Sequence, residues 1–245
     1  MNTKVQLSGA LRIAQFEFLV FRRNKVVVAT AIAIPLLFSI VLARVPGSFP
    51  HAGILASLQL AMIAGLGTYV TATTTLSSRR QLLYLKRLRG TTVSNAGIVA
   101  GILAPVILVN LLQVTIVLGF ISGSVAPPSA PVVLVLGIVA MELMLVILAV
   151  ATSGLTNSPE HAQITTVPVF ALMVGLAAWG ALPVEGWWIW VRRLIPGGGS
   201  IELVTGGWAA LPTHIVLVDC VISMIWCVVA LQLARMLFRW DPRLG

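Results

Sequence analysis

The sequence predicts an all-α polytopic membrane protein: six transmembrane helices, both termini cytoplasmic, an N-terminal interfacial helix and a re-entrant outer helical hairpin before the last span. Three observations carry that reading. Mean hydropathy is +1.02 and only 9% of residues are charged, too few to clothe a water-facing surface. Apolar runs at 26–43, 53–74, 97–121, 131–152, 163–182 and 213–234 each approach the roughly 20 residues that cross ~30 Å of hydrocarbon. Lys and Arg gather at alternate ends of those runs, and basic residues stay on the cytoplasmic side. With the N-terminus inside, all but Arg44, Arg192 and Arg193 of the 16 Lys and Arg are cytoplasmic. The spans consume most of the chain, so 1–245 reads as one transmembrane domain with no soluble catalytic unit.

Residues 1–25 carry charges throughout and lack the short apolar core of a signal peptide. Leu7, Leu11, Ala14, Phe18 and Phe21 recur at helical spacing, while Ser8, Arg12, Gln15 and Arg22 gather on another side. The pattern predicts a helix lying along the cytoplasmic leaflet, a membrane anchor or a surface for a cytoplasmic partner. The 26–43 and 53–74 spans follow, joined by a short outer loop.

The cytoplasmic loop at 75–96 is unusual. Leu82, Leu85 and Leu88 recur every third residue, surrounded by Arg79, Arg80, Lys86, Arg87 and Arg89, and Gly90 supplies a stop. A short basic amphipathic helix across the inner face fits, as does a plain topology signal. The 97–121 and 131–152 spans are joined by a turn stiffened by Pro127 and Pro128. After the 163–182 span comes a long outer segment, 183–212. Trp187, Trp188 and Trp190 favour the membrane–water boundary, Pro196-Gly197-Gly198-Gly199 breaks the chain, and Ile201, Glu202 and Leu203 resume it. Two short helical pieces folded back at the outer interface are expected, with a purely anchoring aromatic loop as the alternative.

Two acids lie within the spans. Glu142 sits mid-way along the fourth and Asp219 early in the sixth. A charge in hydrocarbon is costly, so such residues face the bundle interior or a wet cavity. Partners for Glu142 are available in Asn110 and Gln113, or in Gln59 and Thr68; Arg192 or Arg193 is placed to neutralise Asp219. Glu142, Asn110 and Gln113 are therefore candidates for a polar path, or for hydrogen-bonded glue between helices. Cys220 and Cys227 share a face of the last span but stand too far apart on one helix to bridge. No metal or redox motif occurs, and no recognition module accompanies the +9 net charge to suggest nucleic acid.

The stretch Lys86-Arg87-Leu88-Arg89-Gly90-Thr91-Thr92-Val93-Ser94 resembles the E-R-L-R-x-T-P-hydrophobic-S signature of ABC-2 type transporter permeases. Thr92 stands where that family carries proline. The order of elements is similar across nearly the whole chain. The resemblance implies a half-transporter in the cell membrane, a prokaryotic plasma membrane, that dimerises with an identical copy or a paralogue. It implies export of an amphipathic substrate (drug, lipid, peptide or glycan) by a nucleotide-binding ATPase subunit that holds ATP and Mg. This chain would bind no cofactor; it has no G-x-x-x-x-G-K-[ST] loop, so the motor would be another polypeptide. By the same resemblance Arg79, Arg80, Leu82, Leu85, Lys86, Arg87, Leu88 and Arg89, with Glu17 on the N-terminal helix, would couple to that ATPase. Trp187, Trp188, Trp190, Pro196 and Gly198 would shape an outer gate. An ion-coupled secondary transporter would show inverted repeats and midplane breaks; an intramembrane enzyme would need a nucleophile and base or metal ligands close together. A scaffold or immunity protein without transport is the other alternative.

Overall fold

A computed structural model describes residues 3–23, 37, 38, 40–42, 52–182 and 186–241. No strand occurs among them. Five helices are long and apolar enough to cross a membrane: α2 (Ala52–Gln81), α4 (Asn95–Ser124), α5 (Pro131–Ser153), α6 (Pro159–Trp179) and α9 (Thr213–Leu237). The chain is thus a multi-pass membrane protein. Among the described residues lie four further helices, shorter or more polar: α1 (Thr3–Arg23), α3 (Tyr84–Arg89), α7 (Trp188–Leu194) and α8 (Gly198–Ala209). Most of the expected 26–43 span falls outside the described residues; 37, 38 and 40–42 are helical.

Local chemistry explains where boundaries depart from expectation. Helix α2 does not stop at 74 but runs to Gln81, through a Thr- and Ser-rich stretch. Those hydroxyls bond back to the previous turn: Thr73 to the Tyr69 carbonyl at 2.7 Å, Thr74 to Val70 at 2.9 Å and Ser77 to Thr73 at 2.8 Å. The polar run therefore needs no water and the helix continues. Helix α6 begins at Pro159, ahead of the expected 163, because the Ser158 hydroxyl accepts from the His161 N–H at 3.2 Å and Pro159 fits the first turn. Ser94 caps α4 in the same way through Gly97.

The long helices alternate in direction. At one end, the foot of α2 meets the α5–α6 turn through Arg80 and Thr156, and Lys86 meets Asp241 beyond α9. This end holds Arg79, Arg80, Lys86, Arg87 and Arg89 and is the basic end. At the other, Trp208 Nε1 donates to the Ala126 carbonyl at 2.8 Å and Ala130 N–H to that of Gly207 at 2.9 Å. Trp179, Trp187, Trp188 and Trp190 mark this as the tryptophan end.

Helix α5 is the hub, packed against α9, α8 and the middle of α2. Small residues permit the closeness: a Cβ on Gly137 would stand 2.7 Å from the Val204 nitrogen, and one on Gly53 2.5 Å from the Thr205 carbonyl oxygen. The expected break in 183–212 lies at Ile195–Gly197, with Gly197 at φ +87, and Gly198–Val204 are buried among the long helices. Helix α1 packs on α4, where a Cβ on Gly101 would come within 2.8 Å of the Ala10 carbonyl oxygen. Ile13 and Glu17 form the buried face of α1, whereas Leu7, Leu11 and Phe18 are exposed. The bulky stripe read from the sequence thus points away from the protein, because the close approach to α4 admits only the slimmer face.

Candidate functional site

Polar groups gather at three levels of the bundle. At the basic end, Arg79 and Arg80 end α2 on different sides, since successive helical residues turn by about 100°. Arg79 Nη2 donates to Glu17 Oε2 at 2.6 Å, and its guanidinium lies 5.4 Å from the Tyr84 ring. Partial burial, helped by the Glu17 carboxylate, pushes the Tyr84 hydroxyl above its ordinary pKa against the pull of Arg79. Arg80 is only 2% exposed. Its Nη2 donates to the Thr156 carbonyl, and Ser77 and Thr156 share a hydroxyl hydrogen bond. Expected among exposed basic residues, Arg80 instead ties α2 to the α5–α6 turn.

The single stripe expected of Leu82, Leu85 and Leu88 is corrected too. Leu85 is fully buried, Leu88 packs against the core and Leu82 is 61% exposed. The reason is Leu83, whose φ of 58 and ψ of 13 interrupt the helix, so spacing counted through it does not hold. Lys86 pairs with Asp241 at 3.2 Å and Arg89 lies over Trp240 at 5.3 Å, while Arg87 is exposed. Helix α3 is thus held on two sides by its own chain.

At mid-bundle, α2 widens into a π-helical segment, Ala64–Val70. The looser turn releases backbone acceptors, which side chains take up. Asn110 Nδ2 donates to the Ile63 carbonyl at 2.8 Å and Thr71 Oγ1 to that of Leu66 at 2.9 Å. Thr68 donates to Glu142 Oε2 at 2.7 Å, and Glu142 Oε1 has no hydrogen-bond partner among the described residues. Asn110 and Gln113 crowd the neighbouring Gly67, where a Cβ would meet Gln113 Oε1 at 3.2 Å. Of the three expected polar-path residues, Asn110 and Gln113 thus stand at Gly67, and Glu142 meets the next residue, Thr68, as its direct partner. Below this node the Tyr69 hydroxyl meets Thr152 at 2.9 Å.

At the tryptophan end three buried charges, Arg193, Glu202 and Asp219, meet the partly buried Arg192. Arg192 Nη2 lies 2.6 Å from Glu202 Oε1, and Arg193 reaches Glu202 at 3.5 Å and Asp219 at 3.7 Å. Of the two arginines expected to neutralise Asp219, Arg193 is the one within reach, and Asp219 is wholly buried. Glu202, expected only to resume the chain after the glycine run, is the acid that both arginines reach. The available signal was charge balance: two adjacent arginines and an acid on pieces that a glycine run folds together. Ser200 donates to Ser223 at 3.2 Å, adding a link from α8 to α9. Trp187, Trp188 and Trp190 are exposed, the first two stacked at 4.0 Å. Pro196 lies in the break, and Gly198 is buried where any side chain would strike the Arg192 carbonyl.

Both cysteines are free thiols. Among the described residues no group of three His, Cys, Asp or Glu could hold a metal ion. Polar contacts join α2 to α4 through Asn110 and to α5 through Thr68 and Tyr69. Comparison with family models, with curated proteins and with solved structures found no match.

Proposed function

We propose that this chain is the membrane-spanning permease subunit of an ATP-binding-cassette exporter, working beside a second permease copy or paralogue and a separate P-loop ATPase. The observation that carries the reading is the Lys86–Ser94 motif, which follows the helix break at the foot of α2. That foot is bonded to α1 through Glu17 and to the α5–α6 turn through Arg80. A push on α3 from the cytoplasm would therefore reach three elements at once.

The basic end faces the cytoplasm in this reading, as Lys and Arg prefer. ATP-driven closure of the motors displaces α3, and α2 carries the displacement to its π-helical segment. The node of Thr68, Glu142, Asn110 and Gln113 then opens toward one side or the other of the membrane, forming the path for an amphipathic substrate. Helices α7 and α8 form a re-entrant outer gate, held to α9 by the Arg192, Arg193, Glu202 and Asp219 cluster. The coupling is a two-state equilibrium biased by nucleotide, so a substrate moves only if its affinity differs between the states.

One observation favours a second reading. A buried acid at mid-bundle, Glu142, also suits an ion-coupled secondary transporter. Inverted membrane vesicles separate the two. Exporter activity requires ATP and survives collapse of proton and sodium gradients, whereas ion-coupled transport needs the gradient and ignores ATP.

A further inference from the structure

Helix α9 is one unbroken rod. Its 25 residues, Thr213–Leu237, include no glycine or proline. At 1.5 Å per residue it spans about 37 Å without a residue that would kink it. Each end of the rod is fastened to a different part of the chain. At the tryptophan end the partner is the outer segment. Asp219 faces Arg193 of α7 at 3.7 Å, Ser223 accepts from Ser200 of α8 at 3.2 Å, and Trp226 Nε1 donates to the Leu194 carbonyl at 2.9 Å. An added Cβ on Gly199 would stand 2.8 Å from the Asp219 carbonyl oxygen, so α8 rests directly on the α9 backbone.

At the basic end the partner is α3. The chain leaves the helix at Phe238, with φ −65 and ψ 130. It passes the α5–α6 turn so closely that any side chain on Gly154 would strike the Leu237 carbonyl. Phe238 and Trp240 meet edge to face at 5.1 Å, and both pack on the buried core. Arg89 lies over the Trp240 ring at 5.3 Å, and Asp241 pairs with Lys86 at 3.2 Å. Residues 238–241 thus strap α9 to α3. The Lys86 and Asp241 side chains are 66% and 60% exposed. An exposed ion pair adds little stability and opens at low cost.

A rod without a hinge passes a displacement of one end to the contacts at the other. We propose that the strap and the outer segment form one two-state device: with Trp240 and Asp241 on α3, α9 holds α7 and α8 seated, and release of the strap frees them. Such coupling is reciprocal, so unseating α7 also loosens the strap. The inference rests on the exporter reading only for what displaces α3, which would then be the motor.

The test uses the full chain in nanodiscs of phosphatidylethanolamine and phosphatidylglycerol, with no ATPase present, and reads hydrogen exchange peptide by peptide. Trp240→Ala and Lys86→Asp should each quicken exchange in α7, at the far end of the rod, by about fivefold or more. The middle of α5 should exchange as in wild type. Lys86→Asp combined with Asp241→Lys restores an ion pair with its charges exchanged and should return α7 toward the wild-type rate. From the other end, Trp226→Phe removes the bond to Leu194 while keeping an aromatic ring, and should quicken exchange in α3. Faster exchange confined to the strap and α3 overturns the proposal, as does equal quickening throughout α5, which would be general loosening. A Trp226→Phe variant with α3 unchanged also overturns it. Because no ATPase is present, neither result bears on the exporter reading, which the ATP dependence of transport tests separately.

Discussion

Glu17 and Arg79, 62 residues apart in sequence, meet at 2.6 Å and fasten the N-terminal helix to the foot of the first described long helix. Glu17 is buried, and its second oxygen has no hydrogen-bond partner among the described residues, so Arg79 is its chief compensation. Glu17→Gln should lower stability by about 1–2 kcal/mol, the value of a partly buried charged hydrogen bond. Hydrogen exchange should quicken across α1. Unchanged exchange would mean that the close packing of Ala10 and Ile13 on Gly101 holds α1 unaided.

The glycines offer a paired test of the packing. Gly137→Ala would press a methyl against Val204 and Leu203 and should cost about 1–3 kcal/mol. Gly119, in α4, has nothing within 4 Å of an added Cβ. Gly119→Ala should be neutral or stabilising by about 0.5–1 kcal/mol, as for any unencumbered helical glycine. Thermal unfolding of the two variants decides it; equal effects would contradict the described α5–α8 contact.

Much of this fold was legible because hydrocarbon imposes a length and a composition on every span. The extent of 131–152 differs from α5 by a single residue for that reason. Boundaries set by individual hydrogen bonds were not legible in hydropathy. Ser158 and Pro159 start α6 within a polar stretch, and the hydroxyls of Thr73, Thr74 and Ser77 prolong α2 through another. The π-helical segment left no trace because its residues suit an α-helix equally well; the pair Gly65 and Gly67 was the one hint. Spacing misled at Leu82, Leu85 and Leu88, since periodicity presumes an unbroken helix and Leu83 breaks it. The cost of a buried charge pointed to Arg192 or Arg193 beside Asp219 without choosing between them, and Glu202 required knowing how α7 folds onto α8.

The buried charge cluster should behave as a unit. Arg193→Gln strands Asp219, which is wholly buried, and should cost about 3–5 kcal/mol. The double variant Arg193→Gln with Asp219→Asn should recover a large part of that loss. Unfolding of both variants in nanodiscs measures the recovery; strictly additive losses would show that the two residues do not interact.

At mid-bundle, Glu142→Gln keeps an acceptor for the Thr68 hydroxyl. Its effect on stability should stay within about 1 kcal/mol, as for interhelical hydrogen bonds in membranes. Its effect on substrate-stimulated ATP hydrolysis by the assembled complex should be large if the node lines the path. A variant altered only in melting temperature would assign Glu142 to helix packing.

The proposed function requires that ATP hydrolysed on another subunit move a substrate through this chain. Proteoliposomes holding the chain and its ATPase, loaded with ATP on the motor side and treated with ionophores, test it by uptake of a fluorescent amphipathic cation. Uptake should require ATP, require the ATPase subunit and cease when the phosphate-loop lysine of that subunit is replaced. Uptake by this chain alone, driven by a proton or sodium gradient and indifferent to ATP, would contradict it.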